Sequence, residues 1–287
     1  MIKNFSLALL FSCSVFYAQQ QTQIVDAETQ KPIPYAKLIL KDKDYYKNTE
    51  ENGEIRLKKD EEISEIQAFG YENLKVGNFA TKFLMKPKFI EINEVEIARP
   101  KFEKNYKIGS LKVKGSFGAG FNQITSSFWG KVITFNTYKD ELLFIKKISF
   151  KTIASNKNVI IRLLIYENIN GFPGEILRSE EITCKAGHNK LQEFSPKQIS
   201  FPKEGIIIGF EWIFNETNRY ETSVMMNDTG ETKKVFMFSP ALAGSDDEES
   251  NTIFGSLSEG KWKFQKIVYS NEKRFRFNPA IQIELTN

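Results

Sequence analysis

Short apolar segments separated by turn residues run through residues 20–97. Within most of them apolar and polar side chains alternate, and Gly, Pro, Asn and Asp separate them at the spacing of roughly 8–12 residues that is typical of small β-sandwiches. The pattern predicts strands at residues 22–25, 36–40, 54–57, 65–69, 74–76, 83–85 and 91–97. We therefore expect this part of the chain to form a seven-stranded sandwich.

The second half of the chain has the same character at longer spacing. Strands are predicted at residues 128–136, 142–152, 159–167, 180–183, 197–201, 205–215, 235–238, 262–266 and 280–285. No long segment has the periodicity of an amphipathic helix, so this half is also expected to be β. The runs at 159–166 and 205–213 are almost continuously apolar, which is typical of strands covered on both faces. We expect them in the middle of the two sheets of a larger, jelly-roll-like β-sandwich.

Residues 1–18 have the order of a secretory signal peptide. Lys3 precedes an apolar stretch at 5–16, and Ala18 supplies the small residue before a cleavage site. The stretch is too short to span a bilayer as a helix, and a lipoprotein signal acylated at Cys13 is disfavoured by the bulky residue two positions before it. We expect export, with cleavage after Ala18, to the periplasm, the outer-membrane surface or the extracellular space.

The pattern divides the chain into four parts. They are the signal peptide at 1–18, a first domain at 19–98, a linker at 99–110 and a second β-sandwich domain at 111–287. Removal of the signal leaves Cys184 as the only cysteine. Because no intramolecular disulfide can then form, both domains depend on their hydrophobic cores.

Composition and charge narrow the class of protein. Aromatic residues make up 13% and charged residues 26% of the chain, which indicates a globular rather than a disordered protein. The 40 Lys and Arg residues and the 36 Asp and Glu residues are mixed along the sequence. This distribution lacks the basic patch of a nucleic-acid-binding protein, so no nucleic-acid partner is predicted.

The first domain contains an ordered series of turn and apolar residues. The series is Val25-Asp26, Thr29, Lys31-Pro32-Ile33-Pro34-Tyr35-Ala36, Thr49, Asn52-Gly53, Ile55 and Phe69-Gly70-Tyr71. Over residues 21–97 it resembles the carboxypeptidase regulatory-like domain, which implies a transthyretin-like seven-stranded sandwich. In that family the domain is an accessory module of many exported proteins, including outer-membrane nutrient receptors, and is not itself catalytic. The resemblance implies a fold rather than an activity.

Side chains for metal or nucleophilic catalysis are scarce. His188 is the only histidine in the chain, whereas zinc sites of the peptidase kind use more than one. Cys184 lies four positions before His188, but the glycine between them suggests that the strand has ended. We interpret Cys184 as a buried structural cysteine and His188 as a loop residue. No catalytic residue, metal site or cofactor is predicted.

Carboxylates leave one enzymatic alternative open. Two carboxylates suffice for glycoside hydrolysis, and Glu211 lies in an apolar strand next to Trp212. A single polar residue in a buried strand explains Glu211 equally well, since a catalytic carboxylate also needs a cleft. The acidic run at 246–249 is interpreted as a solvated loop, because consecutive acids do not wrap around a cation.

Trp129 and Trp262 are the candidate ligand-binding residues. Both are flanked by glycine or polar residues, and an exposed indole is a platform for a sugar ring, whereas Trp212 lies in a predicted core strand. We predict a non-catalytic exported cell-envelope protein, a binding or adhesion module for a carbohydrate or an envelope protein. One alternative is a carboxylate-dependent glycoside hydrolase. The other is a small outer-membrane barrel, suggested by the alternation at 274–277, although the continuous apolar runs do not fit it.

Overall fold

The computed structural model describes residues 20–88, 101–121, 127–135, 142–197, 199–225, 230–245, 251–258, 260–267 and 277–287. These residues form strands and no helix, which confirms the predicted all-β class. Accordingly, the described ranges hold no helix with the length and apolarity needed to cross a membrane. The predicted signal peptide, the strand expected at 91–97 and the acidic run at 246–249 lie outside the described residues.

Residues 20–88 form two small sheets around one hydrophobic core, and we call them the first module. The strands are β1 (Gln20–Asp26), β2 (Lys37–Leu40), β3 (Tyr46–Asn48), β4 (Glu54–Leu57), β5 (Ile63–Gln67), β6 (Leu74–Lys75) and β7 (Lys82–Met85). One sheet has the order β4-β1-β7 and the other β3-β2-β5-β6. Ile24, Leu38, Ile66 and Met85 are fully buried in the core. The six strands predicted within this range are present, and β3 is an additional one.

The described residues from 101 onward form a larger sandwich, which we call the second module. Its strands are β8 (Asn105–Gly109), β9 (Val113–Phe121), β10 (Ser127–Ile133), β11 (Leu143–Ala154), β12 (Ile160–Ile169), β13 (Phe172–Thr183), β14 (Gly187–Phe194), β15 (Ser200–Phe201), β16 (Ile206–Trp212), β17 (Arg219–Met225), β18 (Thr232–Ser245), β19 (Thr252–Ser258), β20 (Lys261–Lys266) and β21 (Ile281–Thr286). A six-stranded sheet has the order β13-β12-β16-β10-β19-β20. An eight-stranded sheet runs β17-β18-β11-β21-β8, with β9 joined to β18 and with β14 and β15 joined to β11. The sheets pack face to face, as the rings of Phe150 and Phe210 show with centroids 4.7 Å apart.

Strand β8 lies within the segment 99–110, which the sequence pattern indicates as a linker. It pairs with β21 over its whole length, from Asn105 opposite Thr286 to Gly109 opposite Gln282. Residues 105–109 therefore belong to the eight-stranded sheet, and the linker prediction is corrected for them. Tyr106 and Ile108 alternate with exposed residues in this strand, but the segment is too short for the pattern to distinguish it from a linker.

The two continuous apolar runs form β12 and β16, which lie side by side in the six-stranded sheet rather than in different sheets as expected. All residues of β16 are buried. Ile206 and Ile208 face the core shared with the eight-stranded sheet, whereas Ile207 packs into a separate aromatic cluster on the opposite face. The second face of this sheet is thus covered by rings and by the first module, which explains why the strands carry apolar residues on both faces.

Strands β2 and β3 carry the face of the first module that contacts the second. Lys37 pairs with Asn48 and Ile39 pairs with Tyr46 across these strands, so the four side chains point to the same side of the sheet. Ile39 and Tyr46 are buried in the core of the second module. The two modules therefore share hydrophobic packing where they meet.

Candidate functional site

A group of four charged side chains lies where the modules meet, and we call it the charge cluster. It consists of Lys37, Arg162, Glu181 and Glu211. Lys37 Nζ lies 2.6 Å from Glu211 Oε2, and Arg162 Nε donates to Glu181 Oε1 at 2.9 Å. Arg162 Nη1 lies 3.9 Å from Glu211 Oε2, while Nη2 donates to the Tyr35 carbonyl oxygen at 2.7 Å. Two positive and two negative charges thus neutralise one another at this contact.

Trp262 forms one wall of the charge cluster. Its Nε1 donates to Glu211 Oε1 at 3.0 Å, and Lys37 Nζ lies 5.4 Å from its ring centroid. The same ammonium lies 4.8 Å from the Tyr46 ring centroid. Lys37 is therefore held by a carboxylate and by two aromatic faces, which is a favourable setting for a buried cation.

The two cations of the charge cluster respond differently to burial. Burial penalises the charged ammonium and lowers the pKa of Lys37 below its ordinary value, although Glu211 opposes this effect. Burial also acts to lower the pKa of Arg162, but the carboxylates of Glu181 and Glu211 outweigh it and the pKa is raised. Arg162 is thus a fixed positive charge, whereas Lys37 holds its proton less firmly.

Asn48 connects β3 to the chain that follows β16. Its backbone N–H donates to the Phe214 carbonyl oxygen at 3.0 Å, and its Oδ1 accepts from the Phe214 N–H at 2.9 Å. Its Nδ2 donates to the Tyr35 carbonyl oxygen at 3.0 Å. The neighbouring Tyr46 hydroxyl donates to the Trp212 carbonyl oxygen at 2.8 Å. The bonds to Phe214 and Trp212 fix the first module against the second, and the bond to Tyr35 holds the Asn48 side chain within the first module.

Glu50 extends this contact towards solvent. Its carboxylate accepts hydrogen bonds from Asn215 Nδ2 at 2.8 Å, from the Glu216 N–H at 2.7 Å and from Thr217 Oγ1 at 2.8 Å. One side chain of the first module therefore orders three successive residues of the second, so that the loop after β16 is held in one position.

A groove of about 1070 Å³ opens beside this contact and is lined by both modules. The first module contributes β4 and residues on both sides of it, including Glu51, Arg56 and Lys58. The second module contributes Asn158 and Thr217. The lining mixes polar and apolar side chains and carries charges of both signs. The groove is the site where a ligand would touch both modules at once.

The two tryptophans predicted to bind a ligand are not among the residues that line this groove. Trp129 is half-buried, and its ring packs against Phe254 and Phe277 with centroids 5.1 and 4.8 Å away. Trp262 is half-buried against Phe128 and the charge cluster. Both rings have packing partners in the described structure, so the candidate ligand site moves from the indoles to the groove.

Glu211, the carboxylate considered for glycoside hydrolysis, is 3% exposed and does not line the groove. Its two oxygens are engaged by Lys37 and Trp262. A general acid or base must come within hydrogen-bond reach of the substrate. The position of Glu211 instead assigns it to the contact between the modules.

Cys184 is not a nucleophile activated by His188. Cys184 is buried, and burial raises the pKa of its thiol to about 12, so that the thiolate is scarce at neutral pH. His188 is exposed and lies in β14 rather than in a loop as expected. Within the described ranges no group of His, Cys, Asp and Glu is arranged to hold a metal ion.

Sequence reasoning missed Lys37, Arg162 and Asn48 as partners at the contact between the modules. One signal was present, because Arg162 and Glu211 are charged residues of opposite sign inside the two apolar runs. Charges in buried strands are normally paired.

Comparisons of the chain with protein-family models, with curated proteins and with solved structures found no match. The function must therefore be inferred from the geometry of the site.

Proposed function

We propose that this chain is a non-catalytic exported cell-envelope protein that binds a ligand in the groove between its two modules. The observation that carries the proposal is the groove itself, which both modules line beside a contact fixed by the charge cluster, Asn48 and Glu50. A fixed contact keeps the groove in one shape before the ligand arrives, and preorganisation of this kind favours binding.

The family resemblance of the first module is part of this proposal. Residues of the resembling series contact one another: Tyr71 donates its hydroxyl proton to Asp26 Oδ2 at 2.9 Å, and Thr49 Oγ1 accepts from the Ala36 N–H at 2.8 Å. Gly53 has a φ of 72° and lies close to the Ile24 carbonyl oxygen, where a side chain would collide. These contacts give the series a structural role, which supports a carboxypeptidase regulatory-like module with a transthyretin-like arrangement.

The groove favours a segment of an envelope protein over a carbohydrate as the ligand. Its charged and amide side chains can pair with the charges and peptide groups of a polypeptide. A sugar ring would need an exposed aromatic face. The aromatic residues that line the groove are all buried, namely Tyr35, Phe214 and Phe238. A glycan ligand is therefore the second expectation.

Charge reversal in the groove tests the proposal. The full chain is immobilised and exposed to solubilised envelope proteins and, separately, to a glycan array. Arg56→Glu should weaken retention of a specific protein partner about 10-fold, which corresponds to ~1.4 kcal/mol. Lys75→Glu is the matched control, because Lys75 is also an exposed strand residue but does not line the groove.

The results of this experiment and of a sugar-release assay test three parts of the proposal: the position of the site, the class of ligand and the absence of catalysis. A partner retained equally by both variants would contradict the assignment of the groove. Glycan binding that is lost only in Arg56→Glu would keep the groove and replace the protein ligand with a carbohydrate. Release of sugars from envelope polysaccharides by the purified chain would overturn the non-catalytic proposal.

A further inference from the structure

Lys37 and Glu211 meet the requirements of a covalent cross-link between the modules. Lys37 belongs to β2 of the first module and Glu211 to β16 of the second. The residues are 6% and 3% exposed, and Nζ lies 2.6 Å from Oε2. An amine and a carboxyl group fixed at this distance are reactants already held together, and such fixation is equivalent to an effective concentration of roughly 10⁵–10⁸ M in well-oriented cases.

The pair is shielded from water, and burial eases the loss of a proton from Lys37. Tyr46 and Trp262 place rings about the ammonium, and burial lowers the pKa of Lys37. The free amine, the form that attacks a carboxyl group, is therefore reached more readily by Lys37 than by an exposed lysine. The transfer of one proton from Nζ to Oε2 produces the neutral pair without any other participant.

Two further groups are placed to assist the attack of the amine. Trp262 Nε1 donates a hydrogen bond to Oε1 of Glu211 at 3.0 Å, the oxygen on which negative charge develops when Nζ attacks Cδ. A fixed donor at that position stabilises the charge. Arg162 Nη1 lies 3.9 Å from Oε2 and adds a positive charge close to the same carboxyl group.

We propose that Lys37 and Glu211 condense to an intramolecular amide that joins the two modules covalently. Lys37 Nζ passes one proton to Oε2, and its lone pair forms a bond to Cδ of Glu211. The Cδ–Oε2 bond then breaks, a second proton from nitrogen joins the departing oxygen, and one water leaves. The condensation needs no oxidant, reductant or activated co-reactant, and Trp262 Nε1 remains hydrogen-bonded to the amide oxygen.

The mass of the purified full chain tests this proposal directly. Under denaturing conditions the chain should weigh one water less than the mass calculated for the linear chain. The N-terminus used in that calculation is identified in the same digest. The digest should also contain a branched peptide in which the segment with Lys37 is joined to the segment with Glu211. Lys37→Arg retains the positive charge but cannot form this amide, so its mass should be complete.

The chain provides its own control in a second ion pair. Lys47 Nζ also lies 2.6 Å from a carboxylate, that of Glu61, but Lys47 lines the open groove and Glu61 also accepts the Lys58 N–H at 2.8 Å. This pair should stay unlinked in the same digest. Water loss during ionisation would affect both pairs, and only a link confined to Lys37 and Glu211 supports the proposal.

Trp262→Phe tests the role of the hydrogen-bond donor, because it keeps a ring but removes Nε1. The linked fraction should build up at least ~10-fold more slowly in this variant, as expected for the loss of one fixed donor. Linear peptides that carry unmodified Lys37 and Glu211 in the native chain, with a mass that stays complete on prolonged incubation, would overturn the proposal. This readout is independent of ligand binding, so its failure leaves the proposed function intact.

Discussion

Phe128 lies flat on the six-stranded sheet because neighbouring positions carry no side chain. A Cβ added at Gly130 would lie 2.8 Å from the Phe128 ring, and one added at Gly209 would collide with the same ring. The ring also meets Tyr166 and Phe264 edge to face, with centroids 5.8 and 5.2 Å away. Glycine at these positions therefore serves to admit an aromatic ring.

Gly209→Ala should destabilise the protein by about 1–3 kcal/mol, because an inserted methyl group forces the Phe128 ring or a strand to shift. Denaturant midpoints of the variant and the native chain measure the effect. Gly77→Ala is the control, since a Cβ at Gly77 meets nothing within 4 Å, and it should change stability by less than about 0.5 kcal/mol. Equal effects of the two substitutions would contradict the steric account.

Asp26 links stability to pH. The Thr29 N–H lowers the pKa of Asp26, burial opposes this, and the Tyr71 hydroxyl and the Glu28 N–H lower the pKa further. A carboxyl whose pKa is lower in the folded chain stabilises it above the unfolded pKa of about 3.9, and this stabilisation is lost as pH falls through the folded pKa. Asp26→Asn should therefore be less stable than the native chain at neutral pH.

The difference between Asp26→Asn and the native chain should shrink as pH falls below about 4, because the native carboxylate is then protonated. Urea midpoints at a series of pH values give this comparison. Glu28→Gln, at an exposed position of the same turn, should follow the native chain at every pH. A constant difference between Asp26→Asn and the native chain would show that the carboxylate charge is not responsible.

At the scale of elements, β3 depends on the second module. It has only three residues, and Asn48 bonds to Phe214 with both its backbone and its side chain. Asn48→Ala removes the acceptor of the buried Phe214 N–H. We expect a loss of roughly 1–3 kcal/mol, the cost of an unsatisfied buried donor, measured from denaturant midpoints.

The control for this variant is Asn52→Ala, in the exposed turn before β4. Because Asn52 bonds only within its own turn and to Gln23 among the described contacts, its loss should cost less than about 0.5 kcal/mol. If Asn48→Ala is as mild as this control, β3 is held by the first module alone and the account of the contact is wrong.

Local pattern predicted the strands whose side chains alternate between core and solvent, such as β4 and β7, and the fully buried β12 and β16. It failed for β3, β8, β9, β14, β17 and β19, whose sequences are short, polar or interrupted by glycine. In β19, for example, Gly255 reduces the apolar signal, because the Phe264 ring and the Phe128 Cβ occupy the space that a side chain would need. These strands depend on partners distant in sequence.

The candidate site was harder to predict from the sequence than the fold was. A charge in an apolar run indicates a buried partner but does not name it, and Lys37 lies more than one hundred residues from Glu211 in a strand of another module. A ligand site was predicted at Trp129 and Trp262 because indoles bind sugars when they are exposed. Their exposure is decided by tertiary packing, and Trp262 is covered by contacts that sequence alone does not reveal.

At the scale of the whole molecule, the two modules form one unit. The core of the second module includes Ile39 and Tyr46 of the first, so separation of the modules would expose apolar side chains that are now buried. It would also break the Lys37–Glu211 ion pair and the hydrogen bonds of Asn48 to Phe214. We therefore expect the first module to have no separate unfolding transition, and the groove to keep a constant width.

Hydrogen exchange at increasing denaturant tests this central claim most directly. Backbone amides of β2 and β5 in the first module and of β12 and β16 in the second should lose protection at the same denaturant concentration in the native chain. In Asn48→Ala the first module should open at a lower concentration than the second. If the first module of the native chain already opens at a distinctly lower concentration, the modules are independent and the account of a fixed groove is contradicted.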